Sequence, residues 1–242
     1  MLGKPYVKVC GTTSQSDIAV AVAAGVDALG FLVGLLYPSE DELTPEEASA
    51  LIREMPPFVM PVLVTHQSDT RVVSGLCERI PAAALQLHGE FVLDDIPVLR
   101  SSFPGMKIIK AVHVTGPGAV DAAKAAAAYA DAILLDTQTA TRIGGTGEVH
   151  DWSISRAICQ AVRPTPTILA GGLRPDNVVA AIREVQPFAV DVNSGVSLRR
   201  GVKSDELVSR FVANAKAEPS TGCWDYLPCA AESSSSDPRT SM

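Results

Sequence analysis

Short apolar runs alternate along the chain with longer stretches in which apolar residues recur every three or four positions. The short runs indicate buried strands, and the longer stretches indicate helices with one apolar face. The predicted strands cover residues 6–10, 28–33, 58–65, 83–87, 107–112, 132–135, 167–170 and 189–192. The predicted helices cover residues 14–24, 44–54, 69–79, 91–101, 119–129, 153–162, 175–185 and 204–215. Each strand is therefore followed by a helix, eight times over.

This alternation predicts an α/β protein with a parallel sheet and right-handed crossovers. Eight such units in 242 residues favour a single closed (βα)8 barrel, a TIM barrel, over a doubly wound open sheet. We expect the barrel to span residues 1–217. Residues 218–242 carry a serine run and three prolines, which is typical of a flexible tail.

The tail contains one aromatic segment, in which Trp224 and Tyr226 lie between Cys223 and Cys229. Plain disorder is the favoured interpretation of this segment. A docking segment and a disulfide are the less favoured alternatives.

Composition narrows the class of protein. A net charge of −7 argues against a general nucleic-acid-binding protein, which would carry a basic face. The absence of a long apolar run predicts no membrane span, and the first residues lack the pattern of a signal peptide. The five cysteines include no pair at the spacing of zinc ligands, which indicates free thiols, no metal site and a reducing, cytoplasmic location.

Two apolar runs near the C-terminal end of the barrel stop abruptly in small residues. One continues into Gly171 and Gly172, and the other into Ser194 and Gly195. A helix follows each run, and the backbone N–H groups at helix N-termini attract anions. The loops after strands seven and eight are the usual phosphate site of such barrels. These four residues are therefore predicted to bind a phosphate, and together they are called the phosphate cradle.

The ends of the other strands supply the candidates for chemistry, because active sites of these barrels lie there. Cys10 ends strand one, where a thiol base and a small space-filling residue are about equally expected. Asp136 ends strand six, where it is either a structural cap or a proton donor whose pKa is raised by partial burial. Across a closed ring the two would face each other. His88 ends strand four and is ranked below them.

A glycine-rich loop follows strand six and contains Arg142, Gly145 and Thr146. An ordinary flexible loop would look the same. Its place between Asp136 and the phosphate cradle favours a loop that closes over the ligand and contributes to phosphate binding.

Together these motifs resemble the phosphoribosylanthranilate isomerase family of tryptophan biosynthesis. The matching segments are residues 7–11, 28–31, 85–89, 134–136, 144–147, 151–152, 169–173 and 191–196. They occur in the family's order over most of residues 6–215, and the set as a whole is specific.

The resemblance implies an Amadori rearrangement, an aldose–ketose isomerisation of a phosphorylated aminosugar. It places the general base on Cys10 and the general acid on Asp136, and it implies substrate contacts from Lys8, His88, Arg142 and Asp191. No metal or organic cofactor is implied, because the substrate nitrogen is itself the electron sink. The expected partner is the substrate alone, with a monomer and a homodimer both open.

One position departs from the family. Asp41 stands where the family carries an arginine that holds the anthranilate carboxylate, and an anion there would repel that group. Arg71 and Arg142 are the candidate substitutes. Two alternatives therefore stay open: a related isomerase with a different phosphoribosyl amine as substrate, whose cation Asp41 would meet, and a non-catalytic phosphosugar-binding barrel.

Overall fold

The structure is a computed structural model that describes residues 3–139, 142–143, 150–199 and 201–220, with the backbone alone at 138–139 and 142–143. Eight parallel strands close into a barrel in sequential order, and the first strand pairs with the last. The strands are β1 (Tyr6–Val9), β2 (Ala28–Leu32), β3 (Met60–Thr65), β4 (Ala84–Leu87), β5 (Lys107–His113), β6 (Ala132–Asp136), β7 (Thr167–Leu169) and β8 (Ala189–Val192). The predicted (βα)8 barrel is confirmed.

A helix follows each barrel strand. The helices are α1 (Gln15–Ala24), α2 (Pro45–Arg53), α3 (Thr70–Arg79), α4 (Ile96–Ser102), α5 (Ala119–Ala127), α6 (Trp152–Ala161), α7 (Val178–Val185) and α8 (Asp205–Ala217). Local chemistry sets their starts: at α2, Thr44 accepts a hydrogen bond from the backbone N–H of Glu47, whose carboxylate accepts one from the Thr44 backbone. This reciprocal cap satisfies two N–H groups that the helix leaves free.

Alternate residues of each strand face opposite sides of the sheet. On β3, Leu63 packs outward in the larger core between the sheet and the helices. Val62 and Val64 point into the barrel, where they join a smaller cluster that includes Ala84 and Ala111. The interior is therefore filled by small and medium apolar side chains, and the polar interior positions lie near the mouth.

Two short hairpins extend the carboxyl ends of the barrel and were not predicted. One pairs Gln138–Thr139 with Arg142–Ile143 after β6, and the other pairs Ser197–Arg199 with Val202–Lys203 after β8. Helix α7 also starts three residues later than predicted, because residues 171–177 form the turn that leads into it. Both hairpins lie next to strands that carry site residues.

The opposite face of the barrel holds both ends of the described chain. Gly3 and Ser220 exchange two backbone hydrogen bonds of 3.1 and 2.7 Å, and the Ser220 hydroxyl donates to the carbonyl of Pro187. Packed structure thus extends three residues past the predicted boundary, and the rest of the predicted tail, with its Cys223–Cys229 segment, lies outside the described residues. Within the described part of the chain, no helix has the length and apolarity needed to span a bilayer.

Candidate active site

A pocket of about 210 Å³ opens at the carboxyl ends of the strands. Cys10 and Asp136 both line it, and so do Gly171, Gly172 and the segment 194–195. The predicted base, acid and phosphate cradle therefore share one cavity. This is the end of the barrel at which active sites of the fold lie.

The Cys10 thiol lies inside the barrel, directly after β1. A Cβ atom added at Gly30 on β2 would lie 2.7 Å from Cys10 Sγ and 3.1 Å from Lys8 Nζ. Glycine at this position of β2 therefore leaves the space that the thiol and the ammonium occupy. The result is a nearly buried thiol beside a lysine.

Lys8 and Asp191 form a buried ion pair next to this thiol. They are register partners on β1 and β8, and Lys8 Nζ lies 2.7 Å from Asp191 Oδ2. Burial lowers the pKa of Lys8, but the charges of Asp191 and Cys10 more than offset this, so the pKa is raised overall. Lys8 therefore stays charged. Asp191 and His88 line the pocket, and Lys8 is not one of its lining residues.

Burial dominates the titration of Cys10. It raises the pKa of the thiol to about 11, although the positive charges of Lys8 and Lys203 lower it. A cation close to a thiol favours the thiolate form. The cation is present, but desolvation outweighs it, so Cys10 rests as a neutral thiol.

Asp136 is held by a chain of polar groups at the ends of β4 and β6. Its Oδ2 lies 3.2 Å from His88 Nε2, and its Oδ1 accepts a 2.7 Å hydrogen bond from the backbone N–H of Thr137. On the far side of the imidazole, the Gln86 side-chain nitrogen lies 3.0 Å from His88 Nδ1. In this arrangement the His88 Nε2–H group donates to the carboxylate.

The expected rise in the pKa of Asp136 is wrong. Burial does raise it, but the hydrogen bond and charge of His88 and the N–H of Thr137 lower it further, and the pKa lies below its usual value. The carboxylate is therefore ionised at rest. It must gain a proton before it can act as an acid.

Four histidines gather around this carboxylate. His66 stacks on His88 with ring centroids 5.2 Å apart, and His113 meets the same ring edge-on at 5.4 Å. His150 lies 2.9 Å from the Thr137 hydroxyl. Of these four, only His88 was predicted from the sequence as a site residue. For His113 a signal was present, because it ends the apolar run of β5, the strand next to β6.

The glycines of the cradle bring its loops into direct contact. A Cβ at Gly171, where φ is +80°, would lie 2.3 Å from the Thr137 hydroxyl and 3.0 Å from Asp136 Oδ1. A Cβ at Gly195 would lie 1.9 Å from the carbonyl oxygen of Leu173. Only glycine allows these approaches. The first approach brings the cradle against Asp136, and the second brings the loop after β8 against the loop after β7.

Asp41 has a role that the sequence did not indicate. Its Oδ2 accepts a 3.0 Å hydrogen bond from the Asn193 side-chain amide, and its Oδ1 accepts a 2.9 Å bond from the backbone N–H of Gly201. Asn193 Oδ1 in turn accepts a 2.6 Å bond from Lys203. Both Asp41 oxygens are thus engaged within the protein. The expectation that they await a cation of the ligand loses its main support.

Not every residue singled out from the sequence can be placed in the pocket. The side chain of Arg142, and all of Gly145 and Thr146, lie outside the described residues. Arg71 is exposed in the first turn of α3, where its N–H donates to Asp69. Among the described residues that line the pocket there is no arginine or lysine.

Comparison with known proteins gives consistent matches. The family model described as "N-(5'phosphoribosyl)anthranilate (PRA) isomerase" matches residues 7–214. N-(5'-phosphoribosyl)anthranilate isomerase 2 of Methanosarcina mazei is 43% identical over 212 residues, which cover 87% of this chain and 93% of that protein.

Solved structures agree. The phosphoribosyl anthranilate isomerase of Thermotoga maritima matches with a TM-score of 0.77 and 35% identity, over 88% of this chain and 99% of that one. A structure of the isomerase in complex with reduced 1-(o-carboxyphenylamino)-1-deoxyribulose 5-phosphate matches with a TM-score of 0.74 and 34% identity, over 88% and 99% of the two chains.

Fold and site together define a (βα)8-barrel isomerase. A thiol and a carboxyl group face one cavity beside a glycine-built cradle, and the family model spans nearly the whole barrel. The chain belongs to the N-(5'-phosphoribosyl)anthranilate isomerase family.

Proposed function

We propose that this protein converts N-(5-phosphoribosyl)anthranilate into 1-(2-carboxyphenylamino)-1-deoxyribulose 5-phosphate in tryptophan biosynthesis. The observation that carries the proposal is the shared pocket of Cys10 and Asp136. A base and an acid on opposite sides of one sugar are what an aldose–ketose isomerisation requires.

The phosphoryl end of the substrate is assigned to the cradle. Gly171 and Gly172 lead towards α7, and Ser194 and Gly195 belong to a short 3₁₀ helix, Ser194–Val196. Backbone N–H groups at such turns stabilise a dianion. Gly145 and Thr146 remain predicted additional contacts. Because Gly171 adjoins Asp136, an anchored phosphate would place the sugar ring over the acid.

Ring opening is the first chemical step. Asp136 gives a proton to the furanose ring oxygen, the bond from C1 to that oxygen breaks, and the nitrogen lone pair forms a C1=N double bond. In the resting protein Asp136 is a carboxylate and Cys10 is a thiol, so before each turnover the thiol loses a proton to solvent and the carboxylate gains one, with no net change in the number of bound protons. His88, 3.2 Å away, is a positioning residue that holds the carboxylate towards the ring.

Proton abstraction follows. Cys10, as thiolate, takes the proton from C2, and the C–H electrons form a C1=C2 double bond while the iminium electrons return to nitrogen. The enolamine then tautomerises to the ketone, with a proton lost from the C2 hydroxyl and one gained at C1. Lys8, beside the thiol, stabilises the thiolate that starts this step.

One observation favours a second candidate substrate, and it concerns the part of the pocket that would receive the anthranilate group. No arginine or lysine is present among the described residues that line the pocket, although anthranilate carries a carboxylate. Either Arg142, whose side chain is not described, supplies the charge, or the natural substrate is another phosphoribosyl amine. The same acid, base and cradle would serve both.

The proposal extends to the oligomeric state, the cellular location and the extent of the catalytic unit. The chain acts as a monomer or a homodimer. The related phosphoribosylanthranilate isomerase of Thermotoga maritima is dimeric, and monomers generated from it have been solved. The location is the cytoplasm, which the three unpaired buried thiols of the described residues support. The barrel, 1–217, is the catalytic unit, and the predicted tail begins beyond the packed residues 218–220.

A direct assay separates the two candidates. The purified full chain is mixed with freshly generated N-(5-phosphoribosyl)anthranilate and the decay of its fluorescence is followed, alongside complementation of a tryptophan auxotroph lacking this isomerase. Activity in both supports the first candidate. No activity on this substrate, but turnover of another phosphoribosyl amine, supports the second.

A further inference from the structure

Three potential metal ligands meet at the carboxyl ends of β4, β5 and β6. His88 and His113 each offer one ring nitrogen and Asp136 one carboxylate oxygen, and these three atoms lie within 4.8 Å of one another. Register places two of them side by side, because His113 on β5 pairs with Asp136 on β6. The chemistry proposed above uses the acid of this group and does not use His113.

His113 presents a free lone pair within the protein. Its Nε2 lies 3.1 Å from the backbone carbonyl of His88, and a carbonyl can only accept, so Nε2 carries the hydrogen. Nδ1 is therefore an acceptor. It is buried and has no hydrogen-bond partner among the described residues, which is costly for a polar atom unless something binds there.

The other two ligands already have the spacing of a metal site. His88 Nε2 and Asp136 Oδ2 lie 3.2 Å apart. Two ligands bound to one ion at ~2.1 Å each, at an angle near a right angle or slightly wider, are about this far apart. The ligand atom of His113 lies within 4.8 Å of the other two, so it has to approach by at most roughly 1.5 Å to complete a three-ligand set.

The surrounding groups match those that orient histidine ligands. Metal-binding histidines usually donate their second ring N–H to a carbonyl or carboxylate, and His113 does so to the His88 carbonyl. The Gln86 side-chain oxygen is buried without a partner among the described residues. If the Gln86 amide turns over, this oxygen accepts from His88 Nδ1–H and leaves the Nε2 lone pair for an ion.

We infer that His88, His113 and Asp136 form a binding site for one divalent transition-metal ion of the Zn²⁺, Co²⁺ or Ni²⁺ class. Two imidazoles and one carboxylate suit these ions better than Mg²⁺ or Ca²⁺, which prefer oxygen ligands alone. His88 and Asp136 line the pocket, from which water would complete the coordination.

The bound ion inhibits the isomerisation. It occupies the Asp136 oxygen that the ring-opening proton needs, so metal and proton compete for one atom. This consequence rests on the proposed function, whereas the binding site itself does not. Binding and inhibition are therefore measured separately.

Binding is tested on the chelator-stripped full chain. Calorimetric titration with Zn²⁺ should show one site, and the Co²⁺-loaded protein should show d–d absorption without the charge-transfer band that thiolate ligands produce. His113→Gln should weaken binding at least tenfold. The matched control is His66→Gln, which alters a ring stacked on His88 but outside the three-ligand set and should leave the affinity unchanged.

A second readout guards against misfolded variants. Saturating Zn²⁺ should raise the melting temperature of the wild type, and it should not raise that of His113→Gln. Equal loss of affinity in both histidine variants, a thiolate charge-transfer band, or stoichiometric binding that His113→Gln does not weaken would overturn the site.

Inhibition is tested in the fluorescence assay. Micromolar Zn²⁺ should slow the wild type, a chelator should restore it, and His113→Gln should stay active and lose the sensitivity. If the protein binds the ion as described but never isomerises this substrate, the metal site stands and the proposed function fails. If it isomerises and binds no ion, the reverse holds.

Discussion

The carboxylate of Asp41 accepts a hydrogen bond from the side-chain amide of Asn193, 152 residues further along the chain. The same carboxylate accepts the backbone N–H of Gly201. The loop after β2 is thereby fastened across β1 to the segment after β8. A contact within the protein thus explains why Asp41 stands where the family resemblance implies an arginine. This explanation does not depend on the charge of the substrate.

Removing this contact should destabilise the protein. Asp41→Ala leaves the Asn193 amide and the Gly201 N–H without their acceptor, and we expect a loss of about 1–3 kcal/mol in the free energy of unfolding. Denaturant titration measures it. Glu40→Ala, at the neighbouring exposed residue, is the control and should have little effect. Additivity of Asp41→Ala and Asn193→Ala in a double-mutant cycle would contradict the contact.

Cys10→Ser should abolish the base. A hydroxyl is far less acidic than a thiol, so turnover should fall about 10²–10⁴-fold while the circular dichroism spectrum is retained. Cys77→Ser is the matched control, since Cys77 is a buried thiol on α3, away from the pocket. Near-normal turnover of Cys10→Ser would remove the assignment.

Asp136→Asn should abolish the acid. The amide keeps an oxygen for the Thr137 N–H but cannot deliver a proton, so turnover should also fall about 10²–10⁴-fold. Asp121→Asn, at an exposed residue of α5 paired with Lys124, serves as the control. A variant that turns over substrate as fast as the wild type would show that the proton comes from elsewhere.

The rate should depend little on pH between pH 7 and 9. Burial raises the pKa of Cys10 to about 11, so the thiolate fraction increases about tenfold per pH unit below that pKa. The pKa of Asp136 lies below its usual value, so the protonated fraction of this acid falls by the same factor over the same range. The two changes cancel, and kcat/KM of the wild type should be nearly constant. A steep rise with pH would show that Asp136 does not act as the acid, and a steep fall would show that Cys10 does not act as the base.

The Lys8–Asp191 pair should be costly to break from one side. Asp191→Asn leaves the Lys8 ammonium buried without its counter-charge, and we expect a loss of about 3–5 kcal/mol in stability. The double variant Lys8→Met/Asp191→Asn should recover part of this loss, because it removes the isolated charge. The midpoints of denaturant unfolding of the two variants measure this difference in stability. A double variant less stable than Asp191→Asn would contradict the pairing.

The fold and the positions of Cys10 and Asp136 were predictable because strand order determines which residues share the barrel mouth. Once eight alternating units are recognised, the last residue of every strand must lie at one end. The cradle glycines were predictable for the same reason. The family resemblance, confirmed by the match over residues 7–214, supplied the roles.

The electrostatic state of the site was not predictable. The pKa of Asp136 depends on whether His88 points at it, and that depends on side-chain rotamers and on Gln86 behind the ring. The Asp41–Asn193 contact joins two loops distant in sequence, and no local pattern indicates it. His113 could have been found from strand register alone, since neighbouring parallel strands end side by side.

The antiparallel bridge between Gly3 and Ser220 has a practical consequence for protein engineering. It holds Ser220, the last described residue, on the amino-terminal face of the barrel, away from the mouth. A reporter domain or a second enzyme of the pathway fused after Ser220 would start on the side remote from substrate entry. Such a fusion is the natural format for attaching the protein to a surface with its mouth open to solvent.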